Sequence, residues 1–272
     1  MTRFVVLDDT RRHPELSEQI FTTLHIVAPH VVETTGLPLP PEVRFRLLTP
    51  TAWRHVSRES RERVLQRDIT DLDLPPEKIN ALRGALKVTD LFTALIWPLI
   101  LGQTVKGSDG DTQTILAPRA LHHTGLLADD QCLHQMVAHE LVHHLQAEAR
   151  AGTVWHTFFP AERQISKEGV STVLEGHASW VDQQVTTRLV GRPVDHHQQA
   201  PRSWRYRLHA SIPGIRRLGP SRAAYQQGAR LIAHTVQAHG TDLINRVWKD
   251  TALLPTAREI ADPDAWCRRI AV

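Results

Sequence analysis

The chain has 272 residues, 41% of them hydrophobic, with 32 Lys+Arg against 29 Asp+Glu and a formal charge of +3. That balance fits a globular protein with a real core, and it excludes a disordered tail protein. A small cationic excess spread along the chain makes no nucleic-acid-binding stripe. The only cysteines, Cys132 and Cys267, are far apart; they form no disulfide framework and point to a reducing, cytoplasmic setting.

The opening MTRFVVLDDTRR places acids directly after a short apolar run, unlike a secretory signal. Residues 14–35 read as an amphipathic helix, with Pro14 in its first turn, a stripe of Ile20, Leu24, Val27 and Val31, and Gly36 as its stop. Val43, Phe45 and Leu47 alternate with Arg44 and Arg46, which predicts a half-exposed strand. Residues 52–68 predict a highly charged surface helix. A further helical stretch starts at Glu77 after Pro75-Pro76 and runs into the apolar segment Leu91–Leu101. That segment is interrupted by Thr93 and Pro98 and is far short of the ~20 residues a membrane-spanning helix needs, so no membrane association is expected.

Turn residues 107–111 precede a strand over Thr112–Ala117, stopped by Pro118. In 129–148, Leu133, Val137, Leu141 and Leu145 step by four, as in a helix. A second helix over 168–190 carries a stripe of Val170, Leu174, Ala178, Val181, Val185 and Leu189 and ends at Gly191. Ser221 is placed to cap a helix reaching His239, and Thr256 with Glu259 forms a capping box for a short terminal helix. The expected class is α+β and mostly α-helical. Residues 1–150 would hold a small sheet and one central helix, residues 151–272 a helical subdomain, and the two would form one compact unit.

The chemistry concentrates in His139-Glu140-Leu141-Val142-His143. Histidines at i and i+4 share one helix face and can reach one zinc ion, while Glu140 sits about 100° round the helix, placed to hold a water without ligating the metal. The 17 histidines of the chain raise the rate of accidental motifs, but residues 131–147 contain no Lys or Arg, and apolar neighbours set the pair at the edge of a buried face. A catalytic zinc typically takes three protein ligands. Position 149 is Ala, which removes the scheme with a third histidine six residues on. Glu175, in Leu174-Glu175-Gly176-His177-Ala178, supplies the other scheme, and Gly176 suits a close approach of two helices. His177 is a fallback ligand or an outer partner. Asp182, two turns beyond Glu175, reaches a ligand histidine only if the helices cross favourably.

The H-E-x-x-H helix with a downstream helical Glu resembles the gluzincin metallopeptidases. Tyr225-Gln226-Gln227-Gly228-Ala229 is similar to the Y-x-x-G-A stretch of gluzincin aminopeptidases, in which the Tyr stabilises the oxyanion. Three segments resemble a bacterial zincin-like family, frequent in actinobacteria and regarded as zinc-dependent metalloproteases. They are the His139 helix, residues 174–178, and the run from Tyr225 through Trp248, Leu254-Pro255-Thr256 and Trp266. The resemblance covers roughly residues 112–270 and the N-terminal third only in outline. It implies a zincin-like fold, Zn2+ on His139, His143 and Glu175, Glu140 as general acid/base and Tyr225 as electrophile. The chain departs from the pattern at Ala229, where an acidic residue that would clamp a substrate amino terminus is common. Tyr206 and His209, one turn apart, are alternative hydrogen-bond donors.

The expected activity is zinc-assisted hydrolysis of a peptide amide, the substrate pairing with the strand at 112–117. A hydrolase or cyclase acting on a small-molecule amide uses the same chemistry. A metal-stabilised binding domain without turnover needs only the ligands, and Glu140 argues against it. The pairs His122-His123, His143-His144 and His196-His197 are read as loop or surface residues, not as a second metal site.

Overall fold

A computed structural model describes residues 2–195, 202–211 and 222–271. Strand β1 (Arg3–Asp8) leads into helix α1 (Pro14–Thr35), β2 (Glu42–Leu47), α2 (Pro50–Asp71) and α3 (Pro76–Ile96). A 3-10 turn at Trp97–Leu99 precedes β3 (Gln103–Lys106), β4 (Thr112–Leu116) and α4 (Pro118–Thr124). The remainder is helical: α5 (Asp130–Ala149), α6 (Lys167–Val190), α7 (Trp204–Ser211), α8 (Arg222–His239), α9 (Thr241–Val247), α10 (Ala257–Ala261) and α11 (Pro263–Ile270). The class is therefore mostly helical with a small sheet in the first half, as the sequence indicates. No helix among the described residues is long and apolar enough to cross a membrane.

The sheet order is β1-β2-β4-β3, with β1, β2 and β4 parallel and β3 antiparallel to β4. Alternation in β2 buries Val43, Phe45 and Leu47 on one face and leaves Arg44 and Arg46 half-buried on the other. The inner face packs on α1 and α5 within one core that runs from Leu16 to Ile270. Over the other face, α2 places Trp53 against Leu48 and Ile115.

The strand at Thr112–Leu116 is not a sheet edge, contrary to the role expected of it. Both its flanks are paired, by β2 and by β3, so it has no free backbone groups to offer a substrate. The edge on this side belongs to β3, which three half-buried residues and an exposed Lys106 after a long apolar stretch do not announce by periodicity. β1 was equally unmarked, because its burial does not alternate regularly.

Two helix contacts set the site. α6 lies between α5 and α8 and packs on both. Where α6 crosses α8, a Cβ on Gly176 would stand 2.4 Å from the carbonyl carbon of Gly228, and one on Gly228 would stand 2.7 Å from the Thr172 oxygen. Only two glycines let these backbones touch. The crossing brings Glu175, next to Gly176, towards Tyr225, one turn before Gly228.

Candidate metal centre

Asp129 caps α5 by accepting from the Gln131 amide, and the helix then buries Leu133, Val137, Leu141 and Leu145. This fixes its rotation, so that His139 and His143 emerge together on the side facing α6. Their rings stand edge to face with centroids 5.0 Å apart. His139 Nε2 and His143 Nε2 lie 3.4 and 3.8 Å from Glu175 Oε2. Ligand atoms of these three residues all fall within 4.8 Å of one another.

The far side of each ring is engaged. His139 Nδ1 donates to Asp182 Oδ2 at 2.9 Å, and Gln135 Nε2 donates to the other Asp182 oxygen at 3.3 Å. His143 Nδ1 donates to Gln146 Oε1 at 2.8 Å. Gln146 in turn donates through Nε2 to the Leu174 carbonyl at 2.9 Å and lies 3.2 Å from His177 Nδ1. With Nδ1 of both rings engaged by acceptors, each Nε2 is turned towards Glu175, and a metal there would take the place of any proton on it. Two imidazoles and a carboxylate are a donor set suited to zinc. The residues present fit such an ion.

Charge in the cluster is mutually dependent. Burial would lower the His139 pKa, but its bonds to Asp182 and Glu175 hold it well above the usual histidine value. Burial would raise Glu175, yet the His143 charge and the His139 bond bring it down to about 2. Glu175 also accepts a hydrogen bond from the Tyr225 hydroxyl. Burial, with the Glu175 and Glu140 charges nearby, pushes that phenol well above its ordinary pKa, so it keeps its proton. Glu140 points instead towards the sheet, where Thr104 Oγ1 on β3 donates to its Oε2 at 2.7 Å.

The other sequence candidates sit elsewhere. His177 is buried edge-on to Trp248, with centroids 5.1 Å apart, and is linked to His143 through Gln146. Tyr206 lies beneath Arg202, which donates to its hydroxyl at 2.9 Å, on a helix packed against α4 and the preceding 3-10 turn. His209, on the same helix, has no metal-ligand cluster around it among the described residues. His144 is not a surface residue as expected but 1% exposed, stacked on Phe45. His122 is exposed on α4, whereas His196-His197 and Ser221 fall outside the described residues. Two residues escaped sequence reasoning. Gln146 could have been found by its place three residues after His143. Thr104 carries no signal, because its four-residue strand has no alternating pattern.

A profile of a family described as "Zincin-like metallopeptidase" matches residues 124–267, which include all three clustered donors. No curated protein matches the sequence. The fold is similar to a crystal structure from Chloroflexus aurantiacus described as "a putative hydrolase with a novel fold". The TM-score is 0.57 at 18% identity, covering 96% of this chain and 91% of that one, a likeness of fold alone.

Proposed function

Because the chain belongs to the zincin-like metallopeptidase family, we propose that it is a zinc-dependent hydrolase that cleaves the amide bond of an extended peptide. The observation that carries this reading is the convergence of His139 Nε2, His143 Nε2 and Glu175 within 4.8 Å, with both Nδ1 atoms held by acceptors. A zinc ion held there would supply Lewis acidity, polarising a carbonyl and making a water easier to deprotonate. Glu140, adjacent to His139 and outside the donor set, takes the proton from that water at its carboxylate and returns it to the departing amine. Tyr225 keeps its proton at neutral pH and donates it as a hydrogen bond to the developing oxyanion. Among the described residues no strand pairs with the outer flank of β3, which presents backbone groups to an extended substrate beside Glu140 and favours a peptide over a compact metabolite.

Incubation of the zinc-loaded protein with a quenched fluorescent peptide library and a panel of small acyl amides tests this, with Glu140→Gln as control. Peptide cleavage that vanishes in Glu140→Gln is expected. Turnover confined to acyl amides would move the protein to small-molecule chemistry, and the absence of any hydrolysis would remove the catalytic reading.

A further inference from the structure

Glu140 is joined to a buried chain of hydroxyls that the hydrolytic reading leaves without a task. Thr104 Oγ1 lies 2.7 Å from Glu140 Oε2 and 2.6 Å from Thr114 Oγ1, and Thr114 Oγ1 lies 3.0 Å from His144 Nε2. Thr114 and His144 are inaccessible to solvent, and the His144 ring is stacked on Phe45 at 14° between planes.

Proton counting fixes the direction of every bond. A carboxylate can only accept, so Thr104 spends its one hydroxyl proton on Glu140. Thr104 must then accept from Thr114, and Thr114, its own proton committed, must accept from His144. His144 therefore carries its proton on Nε2. Its Nδ1 is buried without a hydrogen-bond partner among the described residues, as a bare acceptor nitrogen would be. The residue just before β3 treats the second carboxylate oxygen differently. A Cβ at residue 102 would stand 2.7 Å from Glu140 Oε1, and Gly102 leaves that space open.

We propose that Thr104, aligned by Thr114 and the Nε2–H tautomer of His144, is a positioning residue that fixes Glu140 Oε2 and leaves Oε1 as the oxygen that handles the proton in catalysis. The inference rests on Glu140 being the general base, and it divides the labour between its two oxygens. Gly102, immediately before β3, and Thr104 within it act as a pair: Thr104 holds one oxygen and Gly102 keeps its twin clear.

Two readouts test it. In zinc-loaded protein labelled with 15N-histidine, long-range 1H–15N spectra report the ring tautomer, and His144 is expected as Nε2–H. An Nδ1–H tautomer overturns the relay whatever the activity. In the library assay, Thr104→Val is expected to keep one zinc per chain and an unchanged KM while kcat falls about tenfold, the worth of one such hydrogen bond. Thr104→Ser should restore kcat, and Gly102→Ala should lower it with zinc retained. Wild-type kcat in Thr104→Val, or loss of its zinc, would overturn the inference. If Glu140→Gln is inactive while Thr104→Val is not impaired, the positioning role alone fails. If Glu140→Gln remains active, the general-base reading fails with it.

Discussion

Asp182 Oδ2 lies 2.9 Å from His139 Nδ1, and the two residues come from different helices, α6 and α5. The carboxylate is almost fully buried, and burial raises its pKa against the lowering effect of the His139 bond. Such a pair both orients the ring and makes Nε2 a better donor. Asp182→Ala should weaken zinc binding by about 10- to 100-fold without removing a ligand. Competition with a chromogenic chelator measures this, and unchanged affinity would show that Asp182 serves packing alone.

Tyr225 is the group expected to act on the oxyanion. Tyr225→Phe should retain one zinc per chain and lose about 10²- to 10³-fold in kcat, the usual effect of deleting one such donor. Steady-state kinetics alongside elemental analysis separates this from a structural effect. A variant with full activity would leave Tyr225 as a hydrogen-bond donor to Glu175 only.

Gly176 and Gly228 meet where α6 and α8 cross. Because the facing atoms are backbone, neither helix can yield locally, and Gly176→Ala must push the helices apart. Overpacking of this kind costs about 1–3 kcal/mol or more. The displacement also carries Tyr225 away from Glu175. A lowered thermal midpoint together with reduced zinc affinity is the expected pair of results.

Glu259 gives a pH dependence remote from the metal. Its carboxylate accepts from Arg269 Nε at 2.6 Å and Nη2 at 3.0 Å, and it closes a capping box with Thr256. The Arg269 bonds, helped by those of Thr256, outweigh burial and bring its pKa from 4.5 down to about 2. A depressed folded-state pKa stabilises above the unfolded value and ceases to do so as pH falls through the folded one. Glu259→Gln should therefore cost about 1–3 kcal/mol at pH 7. The gap to wild type should close between about pH 4.5 and 2. Denaturant titrations of both proteins across that range measure the gap directly.

Local chemistry made much of this architecture readable. The bounds of α1 follow from Pro14 and Gly36, and the register of β2 from strict alternation. The capping box at Thr256 and Glu259 was visible as a pair of residue types. The His139 helix declares its donors by i, i+4 spacing, and Gly176 hinted at the helix crossing that brings Glu175 in. Contacts across elements were less legible. Whether Asp182 faces His139 depends on a crossing angle that no single helix encodes. Thr104 meets Glu140 only because β3 pairs antiparallel with β4, and that pairing leaves no periodic trace in four residues.

In the proposed centre His139, His143 and Glu175 together hold one zinc ion next to a non-ligating Glu140. Elemental analysis of purified wild type, Glu175→Ala and Glu140→Gln tests this arrangement. One zinc per chain is expected in wild type and in Glu140→Gln, with loss of the metal in Glu175→Ala. Full zinc occupancy in Glu175→Ala, or a wild-type protein that binds no zinc, would contradict it.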